Sequence, residues 1–202
     1  MGYLKGNICV FGDSIVWGWG ATNSGTTGWV NRLLSHVHNN IEGENVVYSL
    51  GVPGETTSGL RRRIEKESKS RNPQTIIIAS GLNDCRYNEV VGKSAVELEK
   101  FEENVAEMIK IAQKFTKKIV CIGLTSVNEE LTIPLIWHAD EVQKNKYIRR
   151  YNERLQKICE DEDIKFISII DLLSNDEIDG VDGIHPNSKG HEKLFEHILK
   201  QL

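Results

Sequence analysis

No hydrophobic stretch in this 202-residue sequence approaches the roughly 18–20 residues needed to cross a bilayer, so stable membrane insertion is not expected. Positive charge is not in excess either. Twenty-five Lys and Arg face 29 Asp and Glu, a formal net charge of −4, which argues against a domain-wide basic footprint for nucleic acid. Cysteines number only four. They form no Cys-x-x-Cys pair and no Cys/His cluster at zinc-site spacing, so neither a disulfide scaffold nor a metal centre is expected. Internal repeats, low-complexity segments and Pro/Gly/Ser-rich linkers are missing too, which leaves one domain over residues 1–202 as the expectation. The opening residues, Met1 to Gly6, show no basic region, long apolar stretch and cleavage site, and a cytoplasmic location is expected.

What is present is ordinary globular composition, 39% hydrophobic and 27% charged. A chain of this length buries roughly 70% of its unfolded surface and needs no staples. Five short apolar runs read as parallel strands covered on both faces: Ile8–Phe11, Val46–Leu50, Thr75–Ala79, Ile119–Leu124 and Ile164–Ile170. Helical stripes separate them. Trp29, Val30, Leu33, Leu34 and Val37 make one; Phe101, Val105, Met108, Ile109, Ala112 and Phe115 make the clearest. Ile148, Tyr151, Leu155 and Ile158 follow, and Leu194, Phe195, Ile198 and Leu202 close the chain. Residues 56–68 also read as a helix, with Leu60 and Ile64 inward and the Arg61–Arg63 run mostly in water. The sum is a three-layer α/β/α sandwich on a five-stranded parallel sheet, a flavodoxin-like fold.

In such sheets function gathers at the carboxyl ends of the strands. Four of the five ends carry glycine with polar residues: Gly12-Asp13-Ser14-Ile15, then Gly51-Val52-Pro53-Gly54-Glu55, then Ser80-Gly81-Leu82-Asn83-Asp84, and finally Asp182-Gly183-Ile184-His185-Pro186. A hydroxyl, an amide, an imidazole and a carboxylate are the parts of an acyl-transfer site. A serine hydroxyl needs an imidazole to take its proton, and the imidazole needs a carboxylate to fix its tautomer. Asp182 and His185, three residues apart, can meet if their loop turns.

These four blocks, in this order and spanning nearly the whole chain, resemble the SGNH hydrolases, also called GDSL-type esterases and lipases. The resemblance implies a serine esterase acting on a small-molecule carboxylic ester without cofactor or metal. It implies Ser14 as nucleophile, His185 as general base and acid, and Asp182 as its orienting partner. The oxyanion hole would draw on the Ser14 and Gly54 N–H groups and the Asn83 amide. Asp13 would support the nucleophile loop without a catalytic part. Two departures stand out. Ile15 replaces the family's commoner leucine, and Val52-Pro53-Gly54-Glu55 replaces a more usual small residue followed by Ser-Gly. That leaves Gly51 as a rival to Gly54.

Other readings stay open at this level. The same site could serve acyl transfer or carbohydrate deacetylation, and a non-catalytic flavodoxin-like ligand-binding module is the alternative outside enzymes. An α/β-hydrolase elbow is set aside because the last glycine of Gly-x-Ser-x-Gly is missing and the Asp-to-His spacing is short. Cys85 after the third strand is a rival nucleophile; buried free thiols are the plainer reading of all four cysteines. His36, His38, His138, His191 and His197 read as surface or packing residues. Trp17 and Trp19 either wall the substrate pocket or pack the first helix, and Trp137 joins them as a candidate contact. The apolar segment Leu131–Trp137, without helical period, is a lid or acyl-binding wall, a self-association surface or a loop folded onto the core. The oligomeric state is not legible.

Overall fold

The computed structural model describes residues 2–202; Met1, the first residue of the expected single domain, lies outside the described residues. The strands are β1 (Asn7–Gly12), β2 (Val46–Gly51), β3 (Thr75–Ala79), β4 (Tyr87–Asn88), β5 (Lys93–Ser94), β6 (Ile119–Ile122), β7 (Glu141–Val142) and β8 (Lys165–Ile167). The helices are α1 (Ser14–Trp17), α2 (Ser24–Thr27), α3 (Trp29–Asn40), α4 (Thr57–Arg71), α5 (Leu98–Gln113), α6 (Glu129–Thr132), α7 (Asn145–Asp161) and α8 (Ser188–Leu199), with a 3₁₀ turn at Asn175–Glu177.

Five strands form one parallel sheet in the order β2-β1-β3-β6-β8. Successive side chains alternate faces along a strand. Cys9, Phe11, Ile76 and Ile78 therefore point to one side, where they pack with Leu60, Ile64, Phe101, Met108 and Tyr151 of α4, α5 and α7. Ile8, Val10 and Ile77 point to the other, against Trp29, Val30, Leu33, Leu194 and Ile198 of α3 and α8. The result is the three-layer α/β/α sandwich that the alternating pattern implies. Chain order reverses between β1 and β3, and a crevice opens there at the carboxyl ends of the strands, where ligands bind in open sheets.

Three features depart from the expectations. The fourth apolar run stops being strand at Ile122, because Leu124 N–H turns to the Asn152 side chain on α7 (2.9 Å). The fifth run is strand only over Lys165–Ile167. β8 is an edge strand held by β6 alone, and beyond it the Ser126 hydroxyl takes over by donating to the Ile170 carbonyl. A second sheet, antiparallel and three-stranded in the order β5-β4-β7, had no counterpart in the periodicity. It joins the segment after β3 to the segment after β6 above the crevice.

The 131–137 segment divides. Its start lies in α6, whose N-cap Asn128 accepts from Glu130 N–H. Thr132 and Leu135 turn inward and are buried, whereas Ile133, Ile136 and Trp137 remain exposed. Among the described residues no helix is long and apolar enough to cross a membrane.

Candidate active site

β1 delivers Ser14 to the crevice. At Gly12 a Cβ would lie 2.2 Å from the Ala79 carbonyl oxygen, so only glycine lets β1 run this close to β3 before turning. Asp13 then caps α1, its Oδ1 accepting from Ile15 N–H at 3.0 Å. This fits the supporting part expected of it. Burial pushes the Asp13 carboxyl up to about 6. Ser14 is the first residue of α1, where backbone N–H groups lack an intrahelical acceptor.

The loop between β8 and α8 brings the imidazole. The Asp182 carboxylate accepts from the backbone N–H groups of Ile184 (2.7 Å) and His185 (3.0 Å) with Oδ1. Its Oδ2 accepts from His185 Nδ1 at 2.7 Å. One aspartate thus shapes the turn and orients the ring. With Nδ1 donating, Nε2 is left as an acceptor, and it lies 2.8 Å from Ser14 Oγ. Both His185 and Asp182 are buried. Burial alone would raise Asp182, but the hydrogen bonds and charge of His185, with the Ile184 N–H, win and hold it below the usual carboxylate range. This chain of contacts is suited to draw a proton from Ser14.

Two further loops face the serine. Pro53 and Gly54 occupy the corner of a tight turn closed by Glu55 N–H to the Val52 carbonyl (3.1 Å). Gly54 has φ +77°, the left-handed conformation that a Pro-Gly turn of this type demands. Asn83 donates from Nδ2 to the Glu55 carbonyl (3.1 Å), which fixes the amide beside Gly54. Gly54 lines the cavity, whereas Gly51 packs beneath α1, where a Cβ would lie 2.3 Å from the Trp17 nitrogen. Asp84, fully buried, accepts from Thr57 N–H and Oγ1 and so pins the start of α4 to this loop.

The Arg61–Arg63 run is not uniformly solvated. Arg63 reaches under the site, with Nη2 donating to the Leu50 (2.8 Å) and Gly12 (3.2 Å) carbonyls. Its Nε and Nη2 also grip the Glu55 carboxylate at 2.5–3.0 Å. One guanidinium therefore ties the end of β1, the end of β2 and the residue that follows Gly54. The charge run gave no sign of this, because two of its partners are carbonyls remote in sequence.

A cavity of about 320 Å³ opens over Ser14 and His185. Gly54 and Asn83 line it, as do Trp19, Arg86, Leu135, Trp137, His138 and Gln143. The rings of Trp19 and Trp137 lie 5.8 and 6.4 Å from that of His185. Trp17 is not among the lining residues; it leans on Trp19 at 5.6 Å, one layer out. Arg86 and Gln143 were not anticipated; Leu135 belongs to the 131–137 segment, for which a pocket wall was one of the readings. Gln143, buried, donates to the Leu82 carbonyl at 2.5 Å and so braces the Asn83 loop. His138 lines the cavity rather than only the surface.

His191 sits on α8 away from the serine, taking Trp29 N–H on Nδ1 (3.3 Å) and meeting the Trp19 carbonyl with Nε2 (2.8 Å). Cys85 is fully buried and burial pushes its thiol far up, which removes it as a nucleophile. Among the described residues no group of three or more His, Cys, Asp or Glu side chains could hold a metal ion.

Comparison with known proteins identifies the family and the fold. Residues 10–193 match the model of the GDSL-like lipase/acylhydrolase family. No curated protein matches the sequence. A lipase/acylhydrolase from Enterococcus faecalis superposes with a TM-score of 0.77 at 21% identity, over 98% of this chain and 95% of that one. A catalytic mutant of an acetylxylan esterase from Geobacillus stearothermophilus gives 0.75 at 18% identity, covering 97% and 93%. The psychrotrophic esterase EstA from Pseudoalteromonas sp. gives 0.68 at 19%, covering 97% and 96%. Identities this low speak to the fold; the family match speaks to the sequence. The chain belongs to the GDSL-like lipase/acylhydrolase family and is an ester-bond hydrolase.

Proposed function

We propose that this GDSL-family hydrolase is a serine esterase that cleaves carboxylic esters through an acyl-enzyme on Ser14. The observation that carries the proposal is the buried chain from Ser14 Oγ through the His185 ring to Asp182, at 2.8 and 2.7 Å. As Ser14 Oγ bonds to the ester carbonyl carbon, His185 Nε2 takes its proton, and the Asp182 carboxylate stabilises the imidazolium. The carbonyl oxygen becomes an oxyanion within reach of donors from the Ser14 and Gly54 N–H groups and Asn83 Nδ2. Collapse breaks the ester C–O bond, and His185 returns its proton to the departing alkoxide. Water then repeats the cycle on the acyl-enzyme: His185 takes its proton, the carboxylic acid leaves, and Ser14 regains its hydrogen.

A carbohydrate ester is the more specific reading. It is favoured by Trp19 and Trp137, which are 46% and 48% exposed yet close to His185 and offer flat faces to a sugar ring. The acetylxylan esterase among the structural neighbours is in keeping with it.

The test is a phosphonate ester titration followed by mass spectrometry of the digested protein. One equivalent should bind, on Ser14, with loss of aryl-ester turnover in proportion. Labelling at another residue, or full turnover by Ser14→Ala, would overturn the proposal.

A further inference from the structure

The cavity has an uneven charge. The chain as a whole carries −4, yet among the described residues no Asp or Glu lines the cavity, and Arg86 is the only lining residue of fixed charge. Arg86 is held from behind. Its Nε lies 2.8 Å from Glu141 Oε2, with both side chains mostly buried. Its backbone is fixed as well, because Ala95 N–H donates to the Arg86 carbonyl (2.8 Å) and the next residue begins β4. Glu141 comes from β7, which pairs with β4. The small sheet thus sets a guanidinium at the cavity by its Nε edge. Its Nε is withdrawn from solvent and faces only Glu141, whereas among the described residues no hydrogen bond engages its two Nη groups, which are left for a ligand in the cavity.

Two parallel Nη donors match the spacing of a carboxylate better than a single hydroxyl, and such pairs are short and strong. Glu141 offsets part of the charge, but it sits on the Nε side and leaves the outer edge unopposed. A neutral acyl chain would bury those donors without acceptors, at a cost.

We infer that Arg86 is a specificity-determining residue that receives a carboxylate on the substrate, so the favoured esters, those of acid-bearing sugars included, carry a negative charge beside the scissile bond. The inference rests on the Ser14 reaction proposed above. It gives the small sheet its purpose, which is to aim one cation into the crevice.

The carboxylate can belong to the acyl or the alcohol half, and matched esters separate the two. Monoethyl glutarate is compared with its isosteric half-amide, and meta-acetoxybenzoate with meta-acetoxybenzamide, reading kcat/KM for each. The charged member should win by about tenfold in at least one pair. That ratio should fall to about one in Arg86→Gln and rise in Glu141→Gln. In the unaltered enzyme it should shrink as salt is raised. Because the readout is a ratio, a general loss of turnover does not mimic the effect. Glu141→Gln and the salt series keep the test alive if Arg86→Gln folds poorly. A ratio at or below one in both pairs, or one indifferent to Arg86→Gln and to salt, overturns the inference while leaving the Ser14 chemistry intact. Failure of the unaltered enzyme to cleave any of the four, or full turnover by Ser14→Ala, overturns both.

Discussion

The floor of the crevice and its rim are built on different principles. The floor consists of the ends of β1, β2 and β3 with the 182–185 turn. Each reactive side chain there is locked by a backbone or side-chain partner: Asp182 by two N–H groups, Asn83 by the Glu55 carbonyl, and the loops by Arg63. The rim consists of the β5-β4-β7 sheet and the 131–138 segment, with strands two residues long and several exposed apolar side chains. Preorganised donors act on the transition state, whereas a rim chooses what enters. Changes in the floor should therefore appear in kcat and changes in the rim in KM and selectivity.

The hardest blow to the floor is Ser14→Ala. It should lower kcat on aryl esters by at least about 10⁴-fold with an unchanged far-UV circular dichroism spectrum. Asn83→Ala comes next, with an expected loss of about 10²–10³ in kcat as the proposed oxyanion hole gives up one donor. A loss confined to KM would move Asn83 from the floor to the rim. Arg63→Met should cost roughly ten- to hundredfold in kcat with little change in KM, because it loosens the Gly54 and nucleophile loops together. Steady-state kinetics on one short-chain ester check all three.

The same division explains what could be read from the sequence. The floor was legible because each of its blocks is a short local pattern and the four together resemble a known family, although Ser14 and His185 meet across 171 residues. Asp182 and His185 meet across three residues, and Pro53-Gly54 announces its own turn. The helical stripe of α5 and the buried runs of β1 and β3 fix the layers by periodicity alone. The rim was not legible, since two-residue strands carry no period and β4 meets β7 only through tertiary contact. Arg63 escaped for a related reason: a run of three arginines on a helix reads as a wet face, and only the fold shows that the third points inward. Trp17 and Trp19 differ by two residues, yet the end of α1 turns only Trp19 to the cavity.

The rim predicts a gentler result. Trp137→Ala should raise KM several-fold and leave kcat nearly unchanged, because Trp137 borders His185 at 6.4 Å without hydrogen-bonding the reacting groups. A fall in kcat as large as that of Arg63→Met would erase the distinction between floor and rim.

His191 joins the segments that bear Trp19 and Trp29, with Trp29 N–H on one ring nitrogen and the Trp19 carbonyl on the other. This requires a neutral ring, and burial depresses its pKa to about 4. Between the ordinary value near 6.5 and about 4, the unfolded chain takes up a proton that the folded protein refuses. The stability His191 contributes is thus whole above that window and is lost as pH falls through it, by roughly 3 kcal/mol in the limit. Asp84 has the opposite sign. Burial raises it to about 6, so the folded protein binds the extra proton and gains stability as pH falls from about 6 toward 4. Denaturant melts of His191→Gln and Asp84→Asn against the parent, from pH 7 to 4, separate the two. The parent's advantage over His191→Gln should shrink with acid while its advantage over Asp84→Asn grows. An advantage over His191→Gln that stays constant across that range would mean that the ring does not join these segments in its neutral form.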